Sequence, residues 1–475
     1  MCADRQATLY VDMDGTLISS DLLYEATFKA IGQNRLVLFR LPLWLMSGKA
    51  RLKEKLACRV TPNPRLLPYR SEVLNFLKQE RSSGRKLVLI TASPRPWAEE
   101  VARHVGLFDD VIATENGRNI KGRSKLRAIR INDSQPAAFG YIWAPRADMP
   151  VWKEADQIYA VGASRRMKRR LQGLGKEAVF FDGQRPLVGS SLTALRPHHW
   201  AKNLLLFLPL FLAHSVDKSA LFAVFLGFVA FSAAASATYV VNDLIDIEAD
   251  RTHPEKRNRP FASGRLPCKL GPALIAALLL LCMVVALPLP RIFWIGLAGY
   301  LLLTTLYSFW LKRKVLVDVF ALAGLYTLRI IAGGWTAGVE VSNWLLGFSI
   351  FIFTSLAFAK RGTELHQAPI GDSSFVRGRG YAREDLSIVK QLGVSSAYCS
   401  VLLLALYISG DKVVEMYSHP NFLWLLCPVL MYWLSRVWMK VHRGLMHHDP
   451  LMEAAKDPIS LLCGVLIVTI VVVAG

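Results

Sequence analysis

The sequence predicts an α/β domain followed by an all-helical bundle that spans a membrane. Residues 1–195 hold 32 lysines and arginines, 19 acidic residues and no apolar run long enough to cross a bilayer. Residues 196–475 consist mainly of long apolar stretches, and the whole chain is 53% hydrophobic. This composition excludes a wholly soluble, a disordered and a disulfide-rich secreted protein. We therefore expect two domains, residues 1–190 and 191–475.

Nine apolar stretches predict nine transmembrane helices, near 203–214, 220–242, 270–288, 292–311, 315–335, 343–359, 386–409, 421–437 and 458–474. With a cytosolic N-terminal domain, the inward loops hold 18 lysines and arginines and the outward loops hold three. This asymmetry predicts a multi-pass protein of the cell (inner) membrane, with the N-terminal domain and the polar loops in the cytoplasm. The net charge of +21 favours an anionic membrane surface or phosphorylated substrates, and we expect no nucleic-acid partner.

In the N-terminal domain, two strand-like runs each end in polar residues. Leu9-Tyr-Val is followed by Asp12-Met-Asp14-Gly15-Thr16-Leu17, and Lys86-Leu-Val-Leu-Ile is followed by Thr91-Ala-Ser. Open α/β sheets bind ligands beyond the carboxyl ends of their strands. Two carboxylates at this place suit a nucleophile and a proton shuttle that work with Mg²⁺.

These motifs resemble the haloacid dehalogenase superfamily, most members of which are phosphatases with a Rossmann-like fold. The resemblance implies that Asp12 accepts the phosphoryl group, Asp14 is the acid/base, Thr91 holds the phosphate and Lys125 offsets its charge. It also implies a Mg²⁺ site formed by Asp12, Asp14 and Asp148. The fourth motif departs from the family pattern, because Trp143 and Ala144 stand where Gly and the first Asp belong. A weak or silent phosphatase, kept for packing or regulation, therefore stays an alternative.

A helical insertion at about residues 20–82 lies where such domains carry a small cap. Its segment 36–46 is apolar, too short to span a membrane, and flanked by basic residues. Two interpretations are open for this segment, an interfacial element on an anionic leaflet or a buried cap helix.

In the membrane domain, the second apolar stretch runs into Asn242-Asp243-x-x-Asp246-x-x-x-Asp250. The spacing predicts three carboxylates on one helix face, which repel one another unless a cation lies between them. Oxygen ligands favour Mg²⁺, with Asn242, Asp243, Asp246 and Asp250 as candidate ligands and Asp243 and Asp246 as catalytic residues. The alternative is a solvated acidic helix end. The basic run 256–260 follows at once, and carboxylates beside cations favour a diphosphate site over such a surface.

A second polar cluster, in the loop 360–385, is predicted to form the other wall of the cavity. The apolar stretch 325–332 also contains an arginine, Arg329, for which a functional role and snorkelling toward an interface are both open. The candidate substrate-binding residues of this domain are Lys202, Asn203, Lys256, Arg257, Arg259, Lys312, Lys360, Arg361, Glu364, Arg379, Tyr381 and Asp385.

The aspartate string resembles the first aspartate-rich motif of the UbiA-type prenyltransferase superfamily, whose fold is an all-helical bundle of nine spans. The segment 195–203, Lys360-Arg361-x-x-Glu364, Arg379-Gly-Tyr381 and Asp449-Pro450 resemble its branch of polyprenyl-phosphate phosphoribosyltransferases. That resemblance implies transfer of 5-phosphoribose from phosphoribosyl pyrophosphate to a polyprenyl phosphate, with release of pyrophosphate. The loop 360–385 has no second run of three aspartates, which argues against a prenyl diphosphate donor.

The two resemblances together suggest that the cytosolic domain removes the ribose 5-phosphate from the lipid product. One alternative keeps the enzyme class but joins a prenyl diphosphate to an aromatic acceptor. Another is a non-enzymatic carrier with a regulatory cytosolic domain, although the sequence shows no internal repeat typical of transporters. The oligomeric state is not predicted.

Overall fold

The structure is a computed structural model, and it describes residues 7–115, 119–132, 138–143, 149–173, 175–181, 187–213, 217–367, 380–410, 413, 417–446 and 449–475. It forms two compact units. The first unit comprises Met1–Leu195 together with Tyr239–Ala276, and the second comprises Arg196–Thr238 together with Ala277–Gly475.

The first unit contains a six-stranded parallel sheet in the order β3-β2-β1-β4-β5-β6. Its strands are β1 (Leu9–Val11), β2 (Leu87–Pro94), β3 (Asp110–Thr114), β4 (Gly140–Trp143), β5 (Gln157–Val161) and β6 (Glu177–Phe181). The central strand β1 pairs Val11 with Leu89 on one side and with Ile142 on the other. This arrangement confirms the predicted α/β domain.

Helices cover both faces of this sheet, so its central strands are apolar throughout. Leu9 and Val11 pack into one apolar cluster, and Tyr10 between them packs into the other. The helices are α1 (Leu22–Gln33), α2 (Leu36–Met46), α3 (Lys49–Ala57), α4 (Ser71–Ser82), α5 (Arg95–Val105), α6 (Arg123–Asn132), α7 (Met149–Glu154), α8 (Arg165–Gln172) and α9 (Leu187–Leu195). Helices α1, α2 and α3 lie in the insertion between β1 and β2, as a small helical cap.

Most of the remaining helices are apolar along most of their length. They are α10 (Leu208–Leu212), α11 (Lys218–Ile245), α12 (Ile247–Thr252), α13 (Gly271–Ala286), α14 (Arg291–Phe309), α15 (Val317–Ala337), α16 (Asn343–His366), α17 (Leu386–Ile408), α18 (Leu426–His442), α19 (Pro450–Ala454) and α20 (Pro458–Ala474). In the described ranges, seven helical segments are long and apolar enough to cross a membrane. The chain is thus an integral membrane protein with an all-helical part.

The predicted number of nine spans is not confirmed. At the first predicted stretch, the chain forms the irregular helical segment Pro197–Phe207 and then the five-residue helix α10, which has Pro209 in its first turn. At the last predicted stretch, α20 has 17 residues and is shorter than each of the seven segments that are long enough to cross a membrane.

Candidate functional sites

The first candidate site lies at the carboxyl end of β1. Asp12 is the residue directly after this strand, and its Oδ1 lies 2.5 Å from the Lys125 Nζ. The same ammonium group donates to the hydroxyl of Tyr141 at 3.0 Å. Asp12 and Lys125 are only 5% and 2% exposed, so the structure brings two of the predicted phosphatase residues together in a buried ion pair.

Asp14 receives the hydroxyl groups that follow β2. Thr91 donates from its Oγ1 to the Asp14 Oδ2 at 3.3 Å, and Ser93 donates to the same oxygen at 2.6 Å. Gly15 allows the tight turn that brings Asp14 back toward β2, since its φ is 78°, in the left-handed region. The adjacent carboxyl ends of β1 and β2 therefore assemble the second half of the predicted site.

Two charged residues of the cap complete this site, and the sequence analysis missed both. Lys53 of α3 donates from Nζ to the carbonyl oxygen of Ala92 at 2.6 Å. Burial lowers the pKa of Lys53, although the nearby carboxylates of Asp14 and Asp21 oppose the shift. Burial and the Asp14 charge raise the pKa of Asp21 to about 6. Neither residue belongs to a recognisable motif, so only the packing of the cap could reveal them.

The altered fourth motif is part of the hydrophobic core where the structure describes it. Trp143 ends β4 and packs edge-on against Trp152, with ring centroids 5.3 Å apart. A glycine at this position would leave a void in that cluster. Ala144 and the predicted metal ligand Asp148 lie outside the described residues.

The second candidate site is the aspartate segment, residues 242–250, which also belongs to the first unit. The segment is predicted to be one helix that carries three carboxylates on one face, and the structure corrects the single helix. Helix α11 ends at Ile245 and α12 begins at Ile247, with Asp246 as the N-cap residue between them. The Asp246 backbone (φ −94°, ψ 15°) leaves the helical region, but the N–H of Asp246 still donates to Asn242 and the N–H of Asp250 to Asp246, at 2.9 and 2.8 Å.

Arg259 holds two of these carboxylates together. Its Nη1 lies 3.2 Å from the Asp243 Oδ1 and 2.6 Å from the Asp250 Oδ2. Burial raises the pKa of Asp250, and the Arg259 charge opposes that shift. Asp243 and Asp250 are 2% and 3% exposed, so a cation bridges two buried carboxylates whose oxygens suit Mg²⁺. Among the residues that the structure describes, no group of three or more His, Cys, Asp or Glu side chains is arranged to hold a metal.

The cap contacts this segment directly within the first unit. Arg251 forms two hydrogen bonds with the Glu25 carboxylate of α1, at 2.9 and 2.6 Å, and both side chains are buried. One helical turn further along α1, Lys29 pairs with Glu248 at 2.8 Å. The predicted phosphate-binding residues Lys256 and Arg257 are exposed on the loop that follows.

In the second unit, two predicted phosphate-binding lysines meet at one carboxylate. Lys202 and Lys360 lie 2.8 and 3.2 Å from the same oxygen, Oδ2 of Asp449. Burial alone would raise the pKa of Asp449, but Lys360 and Lys202 outweigh it and hold this pKa below its ordinary value. The ammonium of Lys202 also lies 5.5 Å from the ring centroid of Tyr326. In the sequence, Asp449 belongs to a motif, but no local pattern predicts its pairing with the two lysines.

Arg361 is the centre of a second network in this unit. Its Nε lies 2.5 Å from the Asp318 Oδ2, and its other nitrogens bond to Glu364 and to the hydroxyl of Tyr307. The hydroxyl of Tyr381 donates to the Asp318 Oδ1 at 2.8 Å. Arg361, Glu364 and Tyr381, three predicted residues, therefore gather around the buried Asp318, which the sequence analysis missed because it lies in an apolar helix.

Asn203 and Arg329 form a third buried network. Asn203 accepts from Arg329 at 2.8 Å and donates to the hydroxyl of Ser232 at 3.0 Å, and Arg329 also donates to the Tyr300 hydroxyl at 3.2 Å. With 5% exposure, Arg329 does not snorkel to an interface.

The remaining predicted residues are less closely tied to these networks. Lys312 lies in the short helical segment Leu311–Arg313 and is half-buried. Asp385 accepts from the backbone N–H of Ala382 at 2.8 Å, which gives it a local structural role. Arg379 lies outside the described residues.

The fold and these sites define a membrane-embedded helical protein with a phosphatase-like α/β domain. Residues 203–445 match the UbiA prenyltransferase family, and residues 9–134 match the haloacid dehalogenase-like hydrolases. The chain belongs to the UbiA prenyltransferase family and carries a haloacid dehalogenase-like domain at its N-terminal side. Both resemblances noted in the sequence are thereby confirmed.

Three relatives show how the similarity is distributed. The "Uncharacterized protein y4nM" of Sinorhizobium fredii is 36% identical over 479 residues, which cover 100% of this chain and 92% of that protein. The "Nodulation protein NoeC" of Azorhizobium caulinodans is 37% identical over 270 residues, 57% of this chain and 88% of that protein. The "Decaprenyl-phosphate phosphoribosyltransferase" of Mycobacterium tuberculosis is 36% identical over 187 residues, 38% of this chain and 62% of that protein.

Proposed function

We propose that this protein transfers 5-phosphoribose from phosphoribosyl pyrophosphate to a polyprenyl phosphate in the membrane. The observation that carries the proposal is the 36% identity to a decaprenyl-phosphate phosphoribosyltransferase. The lack of a second aspartate run in residues 360–385 supports this donor over a prenyl diphosphate. The two lysines that share Asp449 add support, because such a pair suits an anionic phosphate.

The reaction replaces one bond at the anomeric carbon of ribose. The bond from this carbon to a pyrophosphate oxygen breaks, and its electron pair leaves with pyrophosphate. An oxygen of the polyprenyl phosphate forms the new bond to the same carbon. Charge therefore develops on the leaving pyrophosphate while the ribosyl centre becomes cation-like, and both changes need electrostatic stabilisation.

Asp243, Asp246 and Asp250, with Asn242, would hold Mg²⁺, which neutralises the leaving pyrophosphate when it is bound. Their oxygen-only donor set fits this ion. The bridge that Arg259 makes between Asp243 and Asp250 is further support, because it places a cation between these carboxylates. Arg259, Lys256 and Arg257 would bind pyrophosphate oxygens beside the segment.

Lys202 and Lys360 would bind phosphate oxygens, with Asp449 keeping their two ammonium groups side by side. Arg361 and Tyr381 would orient the polar end of a substrate through Asp318, and Glu364 would limit the freedom of Arg361. Asn203, Lys312, Arg379 and Asp385 remain candidate substrate contacts.

The haloacid dehalogenase-like domain would remove the ribose 5-phosphate from the lipid product. Asp12 would attack the phosphorus and form an aspartyl phosphate, while Asp14 gives a proton to the leaving ribose oxygen and later takes one from water. Lys125 and Thr91 would hold the phosphate oxygens. The site would take Mg²⁺ with Asp12, Asp14 and Asp148, weakened by the loss of the first fourth-motif carboxylate.

The proposal also fixes an orientation and a division of the chain. Residues 1–190 would be a cytoplasmic phosphatase domain, and residues 191–475 would be the transferase of the inner membrane. The active-site loops would open to the cytoplasm, because phosphoribosyl pyrophosphate is a soluble, charged donor.

One experiment tests both halves. Purified full-length protein in lipid vesicles receives Mg²⁺, phosphoribosyl pyrophosphate and a polyprenyl phosphate, and the lipid products are resolved by mass. We expect ribosylated lipid without the 5-phosphate from the wild type and ribosylated lipid that keeps it from Asp12→Asn. A wild-type product that keeps the phosphate would refute the phosphatase role. The absence of any ribosylated lipid would refute the transferase role.

A further inference from the structure

Helix α2 of the cap presents an apolar surface that the rest of the cap does not cover. Six of its eleven residues are large apolar side chains that are exposed by more than half: Leu36, Leu38, Phe39, Leu43, Leu45 and Met46. The most exposed are Met46 at 85% and Phe39 at 75%. On the opposite side, Val37 and Trp44 are buried in the apolar cluster of the sheet and cap. The helix is thus fixed in the cap while its outer face stays apolar.

Positive charge surrounds this apolar face. Arg35, Arg40, Lys49 and Arg51 lie in or beside the helix, and residues 34–52 contain no acidic side chain. An apolar face rimmed by cations is complementary to a surface that is apolar inside and anionic at its edge.

We propose that α2 is an interfacial membrane anchor that seats the cap on an anionic lipid surface. With eleven residues, the helix is about 16 Å long, which is too short to cross a bilayer but sufficient to lie in its headgroup region. The same chain has helices that cross a membrane, so a bilayer is always present beside it. A lipid-seated cap would bring the cleft at Asp12 within reach of a lipid-linked phosphate.

The test uses the full chain with its native cysteines replaced and one new cysteine, Phe39→Cys, that carries an environment-sensitive fluorophore. The protein is placed in nanodiscs of phosphatidylcholine with or without phosphatidylglycerol. Lys78→Cys, at an exposed position of α4, is the matched control. We expect lipid-attached nitroxides to quench the label at position 39 but not at 78, with stronger quenching when phosphatidylglycerol is present.

A label at position 39 that aqueous iodide quenches as strongly as at position 78 would overturn the proposal. Protection from both quenchers would also overturn it, since a protein partner or a second copy would then cover the helix. The variant Leu38→Glu with Leu43→Glu should lose the lipid quenching while it keeps the wild-type thermal unfolding. Unchanged lipid quenching in this variant would contradict the assignment of the apolar face.

A second inference rests on the first turn of α1, which contacts both candidate sites of the first unit. At its start, the backbone N–H of Leu22 donates to the Asp14 Oδ1 at 2.9 Å. One turn later, Glu25 holds the guanidinium of Arg251 through two buried hydrogen bonds. Arg251 directly follows Asp250 and also donates from Nε to the carbonyl oxygen of Ala262 at 2.8 Å.

We infer that Glu25 and Arg251 are positioning residues for the aspartate segment, so that α1 couples it to the carboxylate at Asp14. This inference rests on the proposed function for its activity readout. A buried pair that spans two segments holds them in one geometry, whereas the more exposed pair of Lys29 and Glu248 adds little.

The test compares Glu25→Arg, Arg251→Glu and the double exchange in the full-length protein. Each single variant should raise hydrogen exchange in residues 243–252 and raise the Mg²⁺ concentration for half-maximal transfer by about tenfold, roughly the loss of one charge-assisted contact. The double exchange should restore both. Lys29→Met is the control and should change neither.

Faster exchange with an unchanged Mg²⁺ requirement would mean a purely structural contact and would overturn the inference. A double exchange that restores nothing would do the same. If the wild type transfers no phosphoribose, the proposed function fails by itself. In that case, the inference is tested by hydrogen exchange alone. The protection that Mg²⁺ gives to residues 243–252 is compared between the wild type and the variants.

Discussion

The aspartate segment and the lysine pair each contain a cluster of three charged side chains, and the signs of the charges are opposite in the two clusters. In the segment, one cation, Arg259, lies between the two buried carboxylates of Asp243 and Asp250. In the other cluster, one carboxylate, Asp449, lies between the ammonium groups of Lys202 and Lys360. Counted by these three side chains alone, each is a partly buried group with one charge in excess.

The sign of the excess indicates which ligand each cluster stabilises. Buried charges are costly unless they are compensated, so a residual negative charge favours a metal cation and a residual positive charge favours a phosphate. The central ion of each group keeps the like charges together before any ligand arrives. A carboxylate count alone, without its cations, would not distinguish these two functions.

The largest effect should follow from Asp243→Asn, which removes the excess negative charge of the aspartate segment. We expect transfer to fall by at least about 100-fold, roughly 3 kcal/mol of lost transition-state stabilisation, because the metal would no longer be held. The amide keeps the shape of the carboxylate, so the thermal unfolding should change little. Initial rates of ribosylated lipid formation measure the loss, with Glu340→Gln, an exposed residue, as control. Full activity of Asp243→Asn would contradict the metal role.

An intermediate effect should follow from Asp449→Asn, which leaves two neighbouring cations without their carboxylate. Because breaking a buried ionic cluster costs about 3 kcal/mol, we expect a lower melting temperature in detergent. Saturating polyprenyl phosphate should stabilise the variant more than the wild type, since its phosphate supplies the missing negative charge.

The control for this variant is Glu453→Gln, because Glu453 pairs with Lys440 at 3.4 Å and both side chains are partly exposed. Its melting temperature should stay near that of the wild type. If the lipid stabilised Asp449→Asn and the wild type equally, the proposed phosphate binding by the lysine pair would be refuted.

The smallest effect should be a pH dependence at Asp457, the N-cap residue of α20. Burial alone would raise the pKa of Asp457, but hydrogen bonds from Ser460, Lys440 and Arg436 to its carboxylate outweigh burial and lower this pKa. The folded protein therefore binds fewer protons here than the unfolded chain, so stability is present at neutral pH and falls as the pH drops toward 4. Melting temperatures between pH 7 and pH 4 should fall less steeply for Asp457→Asn than for the wild type. Parallel curves would refute this assignment.

Much of the fold could be predicted, because local patterns decide it. Apolar runs that end in Asp12 and Thr91 predict two strands of an α/β sheet, and the structure contains them as the paired parallel strands β1 and β2. Long apolar stretches likewise predict membrane helices. The membrane helix predicted at the first stretch is not confirmed. The polar residues before Pro209 form an irregular helical segment, and only a short helix follows it.

The candidate sites could be predicted only where a motif names their residues. Asp12, Asp14 and the aspartate segment were found in this way. Lys53 and Asp318 were missed because their roles depend on tertiary packing, which brings a cap lysine to Ala92 and a helical carboxylate to Arg361. The helix break at Asp246 was also missed, since a spacing of three and four residues fits a continuous helix equally well.

The most direct test of the account is a competition between donors in one vesicle preparation. Wild-type protein receives Mg²⁺, phosphoribosyl pyrophosphate with polyprenyl phosphate, and geranyl diphosphate with 4-hydroxybenzoate, and all lipid products are measured by mass. We predict ribosylated lipid and no prenylated aromatic product, with one pyrophosphate released for each ribosyl group transferred. A prenylated aromatic product without ribosylated lipid would contradict the phosphoribosyl assignment.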